Sequence, residues 1–159
     1  MSKIGACGDD CLFCLRYKAT ISNNKEELER VKKLWVALGW REPDFDVEKM
    51  KCSGCSKENI NCGCPELRDC VFSKGLKNCG LCSSYPCELT KTVFEKAEKA
   101  FCSLKQVGTK EEMDSLVKAF RDKKKKLDKI NIFQKILFSV AVAAIIFLFI
   151  FGRHFLVFK

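Results

Sequence analysis

The chain has 159 residues, 12 cysteines and a formal net charge of +9, a length that holds one compact domain plus appendages. The charge is uneven: residues 118–159 carry 10 Lys+Arg against 2 Asp+Glu, whereas residues 1–117 carry 19 against 18. A nearly neutral domain excludes the basic face that nucleic-acid binding needs, and the opening MSKIGACGDDC lacks the apolar stretch of a secretory signal. Without export the thiols are expected to stay reduced, and close C-x2-C spacing then points to metal before disulfide.

In chain order, CGDDCLFC (residues 7–14) spaces Cys7, Cys11 and Cys14 as C-x3-C-x2-C. Asp9 or Asp10 is expected to cap a helix running to about Ile21, with Cys11 and Cys14 one turn apart on one face. Asn24 followed by Glu27 resembles a capping box. The helix it opens ends at Gly39 and buries Leu28, Val31, Leu34, Trp35 and Leu38. Residues 40–51 read as a loop. Then come eight thiols in thirty-six residues: Cys52, Cys55, Cys62, Cys64, Cys70, Cys79, Cys82 and Cys87.

Pro65 suits a first helical position, and the short helix it opens carries Cys70 and stops at Gly75. Cys62 and Cys64 fall in the turn before it. A further helix is expected over 88–105, with an apolar stripe of Val93, Phe94, Ala97, Ala100, Phe101 and Leu104. Thr109 and Glu112 form a second capping box, opening a helix through Met113, Leu116, Val117, Phe120 and Leu127. Long alternating strand patterns are absent from the sequence.

From Ile136 to Phe151 only Ser139 is polar. At 1.5 Å per residue this run spans roughly 24 Å, and its flanks bring it towards the ~30 Å hydrocarbon core. A segment apolar on every face needs more protein around it than this chain has, so a transmembrane helix is expected over 132–152. The lysines and arginines on its N-terminal side place the domain in the cytoplasm, in a single-pass arrangement. Lys123, Lys124, Lys125 and Lys126 are expected to contact anionic lipid headgroups.

The chemistry expected of the cysteines is metal ligation, because small residues in short loops let neighbouring thiolates converge on one ion. The lone His154 follows the apolar run, so the ligand set is all sulfur: Cys7, Cys11, Cys14, Cys52, Cys55, Cys62, Cys64, Cys70, Cys79, Cys82 and Cys87. Sulfur selects zinc or an iron–sulfur cluster. Two closed tetrahedral sites need eight ligands, so either thiols are left over, Cys102 joins, or thiolates bridge metals. The most regular pairs, Cys52/Cys55 and Cys79/Cys82, together resemble a zinc ribbon. The N-terminal trio is expected to fold back and share ligation with the central stretch. A radical enzyme built on C-x3-C-x2-C would need a partial barrel that this chain has neither the length nor the strands to form. Asp9, Asp10, Arg68 and Tyr85 are expected to cap, ion-pair or pack.

The order of these elements resembles a known family. ACGDDCLFCLRYKAT, then CSGC, then CGCPELRDCVFSKGLKNCGLCSSYPCEL, over residues about 6–105, is similar to the cysteine-rich family labelled "domain of unknown function 3795". The resemblance implies a metal-binding domain and no established reaction, and it leaves Cys62 and Cys64 as alternatives for one ligand position. The expected architecture is mainly α: a small, irregular, metal-stabilised cysteine-rich domain (1–108), an amphipathic basic juxtamembrane helix (109–131), a transmembrane helix (132–152) and a short tail (153–159). The expected function is a membrane-anchored cytoplasmic zinc module of structural or interaction type with a protein partner still to be found. The alternative is an iron–sulfur electron-transfer protein, and no catalytic constellation is present.

Overall fold

A computed structural model describes residues 3–55, 64–102 and 104–156; Cys62 lies outside the described residues. These residues are mainly helical, with one isolated antiparallel bridge between Ile4 and Asp10 and no strand among them.

The first helix, α1 (Leu15–Ile21), begins later than its sequence suggests. The Asp10 side chain accepts from Leu12 N at 3.1 Å, and Phe13 N and Cys14 N donate three residues back, to Asp10 O and Cys11 O. Residues 10–13 therefore close as turns, and Cys14 is the N-cap. Helix α2 (Lys25–Ala37) starts where expected: Asn24 accepts from Glu27 N at 3.0 Å, and Gly39 follows its end at φ +72°. Its buried face is Leu28, Val31, Leu34 and Trp35. Met50, at the end of a 3-10 turn (Val47–Met50), is fully buried beside them. Trp35, Trp40, Phe101 and Phe120 meet edge to face, with centroids 5.9–6.4 Å apart.

Helix α3 (Pro65–Ser73) has Pro65 in its first turn, and Gly75 lies just beyond its end at φ +67°. Helix α4 (Glu88–Cys102) is amphipathic but its apolar stripe is only half-buried, and Ala100 is exposed. Helix α5 (Lys110–Leu116) carries the complete Thr109–Glu112 capping box.

The helix expected to continue from there is broken. A π-helical turn (Val117–Arg121) ends at Asp122, and a separate 34-residue helix, α6 (Lys123–Leu156), starts beyond it. Leu127 thus belongs to the same helix as the apolar run. The expected juxtamembrane helix (109–131) is instead two helices and a π-turn, and its last part is inside the domain. Lys123, Leu127 and Asn131 recur every four residues, so they share one face, and all three are buried. Beyond them, every residue from 132 to 150 is exposed. The stretch Lys123–Ile150 is long and apolar enough to cross a membrane.

Candidate metal centres in the cysteine-rich domain

The described cysteines form no disulfide. Cys7, Cys55, Cys64, Cys79 and Cys82 pack in one apolar cluster, and the charges that act on each thiol sort the cysteines into three sets. In the first, burial pushes the Cys11 thiol up to about 11, helped by the nearby Cys52 and Cys55 sulfurs and opposed by Lys3. Burial likewise pushes Cys14 up to about 12, with Cys52 and Cys11 adding to it. Cys11, Cys14, Cys52 and Cys55 therefore stand together.

What brings the two halves of this group together is a set of ties between α1 and the segment before Cys52. The buried Arg16 guanidinium donates to Met50 O and, at 3.0 Å, to Lys51 O. Cys52 N donates to Thr20 Oγ1 at 2.9 Å. Lys3 Nζ donates to Tyr17 OH at 2.9 Å and to Ser53 O at 3.3 Å, while Gly54 turns at φ +111° beneath it.

The second group is Cys70, Cys79, Cys82 and Cys87. Burial raises Cys79 to about 12, and the next three causes are Cys87, Cys70 and Cys82. Lys74 Nζ lies 3.5 Å from Cys82 Sγ. At Cys87 burial acts upward but is outweighed by hydrogen bonds from Thr90 and Leu89, so its thiol is lowered. The loop carrying Cys79 is anchored to the N-terminal loop by Cys79 N donating to Ala6 O at 3.0 Å.

Cys7 and Cys64 form the third group. The neighbouring Cys64 sulfur, then burial, holds the Cys7 thiol well above the ordinary thiol value. Cys7 in turn lowers Cys64 against its own burial, with help from Lys123 and Lys96. Lys123 is 5% exposed and pairs with Asp9 at 2.8 Å. Its burial would lower it, but Asp9, Cys7 and Cys64 outweigh burial and keep it charged. Cys7, Cys64 and the first group all border one cavity of about 470 Å³ with Lys123 at its edge.

The N-terminal cysteines thus do fold back on the central stretch, but not uniformly. The thiols that act on Cys11 and Cys14 include Cys52, with Cys55 also acting on Cys11, whereas those that act on Cys79 are Cys87, Cys70 and Cys82. Among the described residues, no three Cys, His, Asp or Glu side chains converge tightly enough to hold a metal ion as they stand. Cys102 is exposed and apart, near Glu98.

The residues weighed beside the cysteines take supporting roles. Asp9 and Asp10 pair with Lys123 and Lys126, Arg68 pairs with Asp69 at 2.8 Å, and Tyr85 OH donates to Asp128 at 2.7 Å. Lys123 was not separable from its neighbours in the sequence, because four consecutive lysines point in four directions around a helix. The signal that could have found it is the four-residue recurrence with Leu127 and Asn131. In the tetralysine run, Lys124 and Lys125 face outward, while Lys126 is half-buried and also donates to Lys118 O.

Helix α6 is fitted against both cysteine loops. A Cβ on Gly8, between Cys7 and Cys11, would stand 2.8 Å from Lys123 O and 2.9 Å from Leu127. One on Gly80, between Cys79 and Cys82, would stand 2.8 Å from Leu127 O and 3.1 Å from Ile130. Asn131 Nδ2 donates to Gly80 O at 3.0 Å, completing the seat.

A small, cysteine-rich helical domain seated on the root of an apolar helix is the class of protein that these features define. The chain belongs to the family described as "Protein of unknown function (DUF3795)", which matches residues 3–92 and so ends within α4 rather than at about 105. No curated protein and no solved structure matches the chain.

Proposed function

We propose that the protein is a membrane-anchored metal-binding module with two zinc sites, Cys11/Cys14/Cys52/Cys55 and Cys70/Cys79/Cys82/Cys87. The observation that carries this reading is the partition of the thiols: two sets of four match the ligand number of closed tetrahedral sites. The first set draws on two chain segments tied together by other contacts, so that a bound ion would reinforce a join the fold already makes. Binding would have to draw the four sulfurs closer than they stand. It would also release protons, since burial keeps Cys11, Cys14 and Cys79 protonated at neutral pH.

The exposed apolar stretch of α6 supports the membrane part. Residues 132–150 cover roughly 28 Å at 1.5 Å per residue, close to the ~30 Å hydrocarbon thickness. The side with Lys124, Lys125 and Lys129 faces the cytoplasm, and these exposed lysines meet anionic headgroups. The domain is then a structural or interaction module held at the membrane surface, offered to a protein partner.

An iron–sulfur cluster is the second reading for the first group, favoured by the cavity of about 470 Å³ that its four thiols border. Anaerobic purification followed by metal analysis and an absorption spectrum separates the two. Colourless protein containing zinc supports the first reading. Brown protein with iron, inorganic sulfide and absorbance near ~400 nm replaces it with the second.

A further inference from the structure

The cavity of about 470 Å³ is walled by more than thiols: Trp35, Trp40, Phe101 and Phe120 also line it. A volume of that size, walled by rings with a few polar groups among them, is what a small organic molecule occupies, and a metal ion makes no use of such a wall. We infer that the aromatic part of the cavity is the binding site of a small organic carboxylate with an apolar body. This inference goes beyond the metal reading and does not depend on which metal is bound.

Two donors without acceptors mark the polar end of the site. Trp35 is 6% exposed, and its indole Nε1 is buried with no hydrogen-bond partner. Arg41 Nε is buried and unpartnered in the same way. Both residues line the cavity and they are neighbours, since Arg41 Cζ stands 5.4 Å from the Trp35 ring centroid. It also stands 5.1 Å from the Phe45 ring centroid, and Arg41 Nη1 donates to Trp40 O at 2.7 Å. The guanidinium is thus held in place while its Nε stays open. Leaving a buried N–H unpaired is costly, more so on a charged group, and a ligand oxygen that accepts there removes the cost.

Charge selects a carboxylate as the acceptor. It carries two acceptor oxygens and the sign opposite to that of Arg41, and a guanidinium matches it in shape. The domain does not supply that charge itself. Of the two carboxylates that border the cavity, Asp9 pairs with Lys123 at 2.8 Å and Glu66 is exposed on α3. Arg16, with Cζ 5.6 Å from the Trp35 ring centroid, adds a second positive charge beside the same indole while donating to the carbonyls of residues 49–51. The rings then receive the apolar body: Trp40 meets Phe101 and Phe120 edge to face at 5.9 and 6.1 Å, so the wall is continuous. Trp40 is half-buried and Ala100 exposed, which opens this part of the cavity to solvent.

Both tryptophans of the chain line the cavity, so their fluorescence reports its occupancy. The test titrates phenylacetate, and in parallel its neutral analogue phenylacetamide, into the full chain in detergent as purified, with metal content measured before and after. The expected result is a saturable change in emission with phenylacetate, bound about 10- to 100-fold more tightly than the amide, and unchanged metal content. Arg41→Gln keeps a donor but removes the charge, and is expected to weaken phenylacetate by about the same factor. Lys33→Gln, which removes an exposed charge from α2, is expected to bind as the wild type does. Equal binding of acid and amide by the wild type overturns the inference whether or not a variant folds, as does a response that never saturates. Wild-type affinity in folded Arg41→Gln also overturns it. Release of metal by phenylacetate does so too, because the carboxylate is then acting at the thiols, and that outcome leaves the metal reading standing. Metal-free protein that still prefers the acid supports the inference while the metal reading fails.

Discussion

Replacing Gly8 by alanine tests how tightly the root of α6 is seated on the cysteine-rich domain. Two costs add at this position. Gly8 has φ +91°, and left-handed backbone costs a residue with a Cβ about 1–2 kcal/mol. The added methyl would stand 2.8 Å from Lys123 O, a backbone atom, and 2.9 Å from Leu127, so part of α6 has to move. Overpacking of this kind costs about 1–3 kcal/mol. The sum, about 2–5 kcal/mol, is a large share of the ~5–15 kcal/mol that stabilises a typical domain. It corresponds to a fall in Tm of roughly 4–20 °C for a chain of this size. Gly39 supplies the control. Its φ is +72° but nothing lies within 4 Å of an added Cβ, so Gly39→Ala should cost only the backbone share, about 1–2 kcal/mol. Thermal unfolding followed by the fluorescence of Trp35 and Trp40 compares the two variants. A Gly8→Ala Tm within about 2 °C of that of Gly39→Ala would refute the close seating.

The same seating governs truncation. A chain ending after Asn131 should fold and move to the soluble fraction, whereas one ending after Asp122 loses Leu127 and should aggregate. Leu127→Ala in the full chain should cost about 2–5 kcal/mol by denaturant titration, because Leu127 is fully buried. Tyr85→Phe removes the bond to Asp128 and should cost about 1.5 kcal/mol. Asp128 itself is held below the usual carboxylate range: burial opposes this but is outweighed by hydrogen bonds from Lys124 and Tyr85. Since its folded value lies below its unfolded one, its contribution is complete above pH ~4 and lost as the pH falls through the folded value, and Asp128→Asn should flatten that part of the stability profile. Arg16→Leu unties residues 49–51 from α1, so metal analysis should show loss from the first group and retention in the second.

How much of this was legible in the sequence depended on whether a local rule decided the outcome. Asn24 with Glu27, Thr109 with Glu112, Pro65, and the glycines after α2 and α3 act within one helical turn, and each marked its boundary correctly. The cysteine-rich family was legible too, because its motifs recur in order. The start of α1 was not, since Asp10 bonds to Leu12 N and holds turns where a helix could begin. The break between α5 and α6 carries no proline or glycine; an amphipathic pattern continues through it, and only the tertiary seat shows which side of it Leu127 serves. The grouping of thiols was the least legible. C-x2-C spacing says that two sulfurs can meet one ion, but which pairs come together is decided by the long-range ties of Arg16, Thr20 and Lys3.

The central claim, two sites divided between the two groups, is tested most directly by the metal-to-protein ratio of anaerobically purified wild-type, Cys55→Ser, Cys82→Ser and Cys7→Ser chains. The account predicts about two metal centres per wild-type chain, about one in each of Cys55→Ser and Cys82→Ser, and about two in Cys7→Ser. Metal-free wild-type protein with reduced thiols would contradict it, as would a single centre lost equally in Cys55→Ser and Cys82→Ser.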